Sequence, residues 1–376
     1  MWSGRQWKGS MPGAHGRFWW RAVPLVGLVA ALGASAVTGL SERSAVLAVV
    51  LPLAGLVVLM GVVFAAVYHA DVIAHRTGEP YGTLILTVAV TVIEVALILS
   101  IMLAGEGRPS LARETVFAVI MVVCNGVVGL CLILGGLRYG EQGFRLPGAS
   151  SYLVVLMPLA TLSLVLPTYT TSMPGPYYTP AQLGFVSLVT LVLYGVFLYV
   201  QTVRHRDYFL SDLGGAADDH PHPPGPRQFW ESVILLLVGL TAVVLLAKGV
   251  AGSLETMVAT LGAPLEAVGL LVALLVLLPE TVAALRAARR NELQKSLNLA
   301  LGSSLATIGL TIPAVSLLAI ALDQRLELGI DMNDTVLLVL TFAVSLVTFG
   351  GGRTNILPGF VHLVLFAIFV FLVFVP

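Results

Sequence analysis

The sequence predicts an all-α polytopic membrane protein of about eleven transmembrane helices: one N-terminal helix, then two inverted five-helix repeats. Three observations carry that expectation. Hydrophobic residues make up 57% of the 376 residues and charged residues only 11%, and the mean hydropathy is +0.95. A soluble domain carries about 25% charged residues, because its surface needs them. Apolar runs of span length recur along the chain, and the Lys and Arg residues fall between them in an alternating pattern. The same composition excludes a soluble enzyme and a disordered chain. Twenty Lys+Arg balance 20 Asp+Glu, which leaves no basic face for nucleic acid; the expected surroundings are a lipid bilayer.

Runs of about 18 or more apolar residues place spans near 22–40, 45–70, 83–104, 115–137, 151–168, 182–203, 229–249, 264–285, 297–321, 334–350 and 357–375. Ahead of the first run stand Arg5, Lys8, Arg17 and Arg21, and Ala34-Ser35-Ala36 resembles a cleavage site. A signal peptide therefore competes with a first transmembrane helix, and the length of the run favours the helix. Cys124 and Cys131 lie seven residues apart on one helix face, too far apart to bridge, and read as packing residues. The segment 207–228, rich in Pro, Gly, Asp and His, reads as an aqueous linker. The expected organisation is a tail and extra helix over 1–44, a first repeat over 45–206, the linker over 207–228 and a second repeat over 229–376.

Fifteen Lys and Arg residues fall on the side of the N-terminus and five (Arg43, Arg108, Arg113, Lys248, Arg325) on the other. The positive-inside rule then puts the N-terminus and linker in the cytoplasm and the C-terminus outside. An Arg-, Ala- and Gly-rich composition suggests a prokaryotic cytoplasmic membrane. Five spans precede the linker after the extra helix and five follow it. Halves with an odd number of spans insert with opposite orientation, which is the geometry of inverted-repeat transporters with a midplane site.

Inside the apolar runs, Glu94 and Glu280 stand out as ionisable residues, each in the second span of its half. A carboxylate at that depth costs several kcal/mol unless partnered or protonated. A structural role through hydrogen bonds to neighbouring helices is the competing reading. Thr87, Thr91 and Glu94 occupy i, i+4 and i+7, one polar stripe on one face. Pro279 removes a backbone donor and so frees a carbonyl near Glu280. Asn298, Gly302, Ser303 and Ser304 lie in the next span, and Asn125 and Gly126 in its first-half counterpart. Close helix packing is the alternative role of those small residues. Carboxylate, carbonyl and hydroxyl oxygens are hard ligands, suited to Ca²⁺, Na⁺ or Mg²⁺. Protons and cation would compete for the same oxygens, and that mutual exclusion is what an antiporter requires. No nucleotide motif is present, so an ATP-driven pump is disfavoured, and no cofactor is expected.

Residues 78–99 (GEPYGTLILTVAVTVIEVALIL), 270–285, 298–315 and 351–367 resemble the ChaA-type calcium/proton antiporters, in the cation/proton exchanger branch of the Ca²⁺/cation antiporter superfamily. The resemblance covers the chain from about residue 45 onward. It implies two inverted five-helix repeats whose second and third helices meet at the centre. It implies that Glu94 and Glu280 are the cation-binding acids and that Gly302-Ser303-Ser304 is the small-residue motif following the second. It implies Ca²⁺ export against protons, with Na⁺/H⁺ or K⁺/H⁺ exchange as the alternative on the same scaffold. Two departures stand in the sequence. Val92-Ile93 and Leu278-Pro279 precede the acids where the superfamily usually has Gly-Asn, and Asn125-Gly126 replaces the Gly-Ser motif of the first repeat.

Lesser features carry paired readings. Asp218, Asp219, His220 and His222 are a solvated linker or a weak regulatory cation site. His69, Asp71 and His75 are a polar helix end or a proton entry. Glu79 suits a helix N-terminus. His362 and Asn355 support the site or pack the last helix, and Arg353 is a positive-inside anchor. The distant alternative is an intramembrane hydrolase with Ser303 as nucleophile and His362 as base.

Overall fold

A computed structural model describes residues 14–41, 45–77, 81–104, 109–210, 224–260, 262–264 and 266–375. The linker residues Asp218, Asp219, His220 and His222, and also Glu79, lie outside the described residues. The chain runs α1 (Ala14–Ser41), α2 (Ala45–Thr77), α3 (Tyr81–Ala104), α4 (Leu111–Met121), α5 (Val128–Tyr139), α6 (Leu146–Ala160), α7 (Leu166–Tyr169) and α8 (Pro180–Tyr199). After the linker come α9 (Pro226–Thr260), α10 (Glu266–Val276), α11 (Leu278–Ala288), α12 (Leu293–Ala306), α13 (Ile312–Ala321), α14 (Met332–Phe349) and α15 (Ile356–Phe374). Among the described residues, eight helical spans are long and apolar enough to cross a membrane, or nine if the bent pair α10–α11 counts as one. The expected eleven is not reached on that measure: α1 contributes the shorter apolar stretch Trp19–Gly33, and α3 is not among the nine. The chain is an integral membrane protein, with large apolar side chains such as Val57, Val154, Phe185 and Val347 turned outward.

Local chemistry sets the helix starts. Thr179 and Gln182 form a capping box ahead of α8, with Pro180 at its first position. Asp331 accepts from the Asp334 amide at 2.8 Å to cap α14. Asn355 accepts from the Leu357 amide at 2.9 Å to cap α15, so this residue starts the last helix.

Two spans form the centre. Leu111–Tyr139 and Leu293–Ala321 are each 29 residues long, and 94% and 67% of their apolar windows are buried inside the protein. Each contains a π-helical turn near its middle, Val122–Val127 between α4 and α5 and Thr307–Thr311 between α12 and α13. A π turn inserts one residue into the helical ladder and re-aims the side chains beyond it. Cys124 and Cys131 are free and buried in the first of these spans.

The loops divide between two ends. At one, the short strands β1 (Gln142–Gly143) and β2 (Arg353–Thr354) pair antiparallel. There Tyr139 Oη donates to the Arg289 carbonyl at 2.9 Å, and Gln294 Oε1 accepts from the Arg145 amide at 2.7 Å. At the other, Arg113 pairs with Glu327 and donates to the Gly329 carbonyl at 2.9 Å, and the Glu327 amide donates to the Pro109 carbonyl at 3.0 Å. A large open cavity at this second end is bordered by Arg113, Thr168, Glu327 and Asp331, and neither Glu94 nor Glu280 lines it.

Helix α1 packs on α2 and α9. Pro24 has no N–H to give the Trp20 carbonyl one turn back. The buried His69 of α2 takes that place, its Nε2 donating to the Trp20 carbonyl at 3.0 Å, while its Nδ1 meets Ser232 Oγ of α9 at 3.2 Å. Arg21 pairs with Glu231 at 2.8 Å beside it, and Trp20 stacks on Tyr68 with centroids 5.0 Å apart. His69 thus ties three helices together, whereas Asp71 and His75 form a 3.6 Å pair at the exposed helix end.

Candidate functional site

Glu94 lies on α3, buried at 2% exposure, because α3 packs against the second π turn, Thr307–Thr311. The Thr307 hydroxyl stands beside the Glu94 carboxyl, and Glu280 is within electrostatic reach of it. The Thr307 hydroxyl also lies 3.0 Å from the Ser303 carbonyl, so its single proton serves either that carbonyl or the Glu94 carboxylate. Thr91, one turn before Glu94 on the same face, is buried as well. The side chain of Thr87 falls outside the described residues.

Glu280 reaches this centre by another route. The span that carries it breaks at Leu277, and its halves α10 and α11 meet at a 55° bend. Pro279 cannot donate to the Leu275 carbonyl, which is why the ladder opens there. Glu280 therefore sits in the first turn of α11, where helix N–H groups lack intrahelical partners and an acidic side chain is favoured. Gly269 lets α10 approach α4 closely: a Cβ there would lie 2.8 Å from the Glu114 Cβ.

Oxygens on α3, on α11 and on the span Leu293–Ala321 are buried with no hydrogen-bond partner among the described residues: Glu94 Oε1, both Glu280 carboxyl oxygens, Ser304 Oγ and Thr311 Oγ1. Ser304, Thr307 and Thr311 share one face of their helix. A buried polar atom left unpaired costs about 1–3 kcal/mol.

Other residues named from the sequence are placed elsewhere. Asn125 donates through Nδ2 to Thr341 Oγ1 at 2.9 Å and faces His362 through Oδ1 at 3.1 Å. Gly126 packs on the Phe366 ring, and Gly302 on the Tyr152 ring. Asn298 belongs to the linker end: its Nδ2 donates to the Phe209 carbonyl at 2.6 Å, and its Oδ1 accepts from Gln294 at 2.8 Å. The ring of Phe209 packs there against Tyr152 and Phe197. One further residue joins the centre. Tyr194 of α8 is buried, stands within electrostatic reach of Glu94 and lies against Gly309 of the second π turn. No sequence signal distinguishes it from the other tyrosines, because its role depends on which face of α8 meets that turn.

The sodium/calcium exchanger protein family matches this chain over residues 47–203 and again over 231–375. The chain belongs to the sodium/calcium exchanger family. Among its relatives, y4hA of Sinorhizobium fredii is 48% identical over 364 residues, covering 96% of this chain and 98% of that protein. The sodium-potassium/proton antiporter ChaA of Escherichia coli is 38% identical over 338 residues, covering 89% and 91%. The solved structure of YfkE superposes with a TM-score of 0.72 at 16% identity, covering 95% of this chain and 100% of that one. That of the H⁺/Ca²⁺ exchanger CAX gives 0.70 at 14% identity, covering 95% and 89%. These structural likenesses show the exchanger fold. Membership makes the chain a secondary transporter rather than an enzyme, and this corrects the hydrolase alternative. The geometry supplies the reason: the His362 ring nitrogens face Thr348 and Asn125, not Ser303.

Proposed function

We propose that this exchanger-family protein is a cation/proton antiporter of the cytoplasmic membrane that exports Ca²⁺ in exchange for H⁺. Glu94 and Glu280 alternately hold the cation and protons. The observation that carries the reading is that Glu94 and Glu280 stand within electrostatic reach of each other, both with buried oxygens that have no hydrogen-bond partner among the described residues, and with the Thr307 hydroxyl beside Glu94. Among the described residues no third His, Cys, Asp or Glu joins the two acids. The remaining ligands are therefore neutral oxygens: the Thr91, Ser304 and Thr307 hydroxyls and the carbonyls near Pro279. Such a set suits a hard cation. Two carboxylates balance one divalent cation or two protons with nearly the same charge.

A second reading, Na⁺/H⁺ or K⁺/H⁺ exchange, is favoured by the name of the 38% identical relative, a sodium-potassium/proton antiporter. The Ca²⁺ reading draws support from the 28% identical Ca²⁺/H⁺ antiporter of Synechocystis. The proposed architecture is two inverted repeats, 45–206 and 229–376, with the N-terminus and linker cytoplasmic. The family match in two segments supports it, as do the two central 29-residue spans with their π turns.

Proteoliposomes carrying a pH gradient and a pH dye test the assignment. Addition of Ca²⁺, Na⁺ or K⁺ in turn is expected to collapse the gradient with Ca²⁺. Collapse with a monovalent cation alone moves the assignment to the second reading. A folded, inserted protein that responds to no cation removes the antiporter reading altogether. Pro279→Ala supplies the missing N–H to Leu275 and favours a straighter α10–α11. It is expected to slow exchange about tenfold, the rate equivalent of misplacing one ligand by a buried hydrogen bond's worth of energy. Unchanged flux in this variant would show that the bend does not serve the site.

A further inference from the structure

We propose that His362 is a positioning residue of the carboxylate site: it orients Asn125 and thereby holds the π turn Val122–Val127 against α11, the helix that carries Glu280. The inference deepens the antiporter reading and rests on it for its transport arm.

His362 lies in the middle of α15, a helix with mean composition suited to lipid, yet it is completely buried. It reaches the protein centre because α15 and α5 cross closely. A Cβ on Gly129 would stand 3.0 Å from the Gly359 carbonyl oxygen, and one on Gly359 would stand 2.8 Å from Ile133 Cγ1. Small residues on both helices thus bring the imidazole up to the π turn. That turn packs in its other directions against α11 and α12.

The hydrogen bonds fix the direction of each group. Asn125 Nδ2 donates to Thr341 Oγ1 at 2.9 Å and lies 3.7 Å from Met121 Sδ. A thioether is an acceptor only, so the NH₂ end of the amide belongs on that side. The carbonyl end is left facing His362 Nδ1 at 3.1 Å, and that nitrogen must then carry the hydrogen. His362 Nε2 meets the Thr348 hydroxyl at 3.1 Å. Asn125, Thr341, Thr348 and His362 come from three elements, the first π turn, α14 and α15, and all are buried. An apolar residue at 362 would fill the same space without any polar atoms to satisfy. What the imidazole adds is the one donor that orients the Asn125 carbonyl. This gives Asn125 a role different from that of a cation ligand, because both ends of its amide are already engaged.

The test is a rescue pattern. In His362→Asn the side-chain amide nitrogen stands where Nδ1 stood, so the donor to Asn125 is kept. In His362→Gln the amide stands where Nε2 stood, and that donor is lost. His362→Leu removes both. In the flux assay, His362→Leu and His362→Gln are expected to lose roughly tenfold in rate, as for one lost buried hydrogen bond, while His362→Asn keeps most of it. Asn125→Ala added to His362→Leu should cause little further loss, because the two act as one unit. A second readout needs no transport: hydrogen–deuterium exchange of the peptide covering 122–127 should speed up in His362→Leu and return in His362→Asn. Equal flux and equal exchange in the Asn, Gln and Leu variants would overturn the proposal. Inactive wild-type protein with the exchange pattern intact would instead count against the antiporter assignment and leave the positioning role supported.

Discussion

Glu94→Gln and Glu280→Gln are each expected to abolish exchange while leaving the protein folded. Each substitution keeps the size of the side chain and removes the charge that competes for cation and proton. Removing one charged partner of a bound cation weakens its binding by about 3 kcal/mol, which converts to more than a 100-fold loss of rate. The effect on stability should have the opposite sign or vanish. In the folded protein Glu94 Oε1 and both Glu280 carboxyl oxygens are buried without hydrogen-bond partners among the described residues, so they contribute strain rather than support. An amide has donors that can reach Thr307 beside Glu94 or backbone carbonyls around Pro279. Thermal melting in detergent should therefore stay level or rise while flux disappears, the trade-off expected of a site selected for function. Normal exchange in both variants would sink the carboxylate mechanism. Loss of exchange together with a large fall in melting temperature would return the glutamates to a structural role.

A large effect on stability is expected at Gly309. This residue lies inside the second π turn, where Tyr194 of α8 rests on it. An added Cβ would stand 2.6 Å from Tyr194 Cγ and 2.9 Å from Tyr194 Cβ. Those atoms are the root of the tyrosine, not a flexible tip, so α8 itself must move to make room. Gly309→Val adds two further methyl groups at the same point, and overpacking of this kind costs about 3 kcal/mol at its upper usual range. Gly309→Ala should show a smaller loss in the same direction. Because Thr307 and Thr311 belong to the same turn, flux should fall along with the melting temperature. Gly309→Val with unaltered melting and flux would mean that α8 does not bear on the turn as described.

The membrane class was legible in the sequence because it rests on one-dimensional properties, whereas the count of eleven spans was not reached. Run length against bilayer thickness marks the spans, and the scarcity of charge within the runs singles out Glu94 and Glu280. Pro279 announced the break in its helix, since a missing N–H acts on its own turn wherever the helix is packed. The neighbours of the two glutamates were less legible. The small and polar residues Asn125, Asn298 and Ser304 looked alike, each in an apolar run near an acid. In the structure Asn298 holds the Phe209 carbonyl at the linker end, Asn125 holds His362, and Ser304 lies on the face of Thr307 with its oxygen unpartnered.

Amino-acid order alone specifies a membrane protein with one acid inside each of two apolar runs. Helix packing selects which faces meet: Glu94 with Thr307 and Tyr194, and Asn125 with His362. The physical reason is the solvent. A helix apolar on every side carries little amphipathic signal, so nothing local says which stripe turns inward. In a bilayer that choice follows from close packing, glycine crossings and interhelical hydrogen bonds, all of which appear when the helices come together.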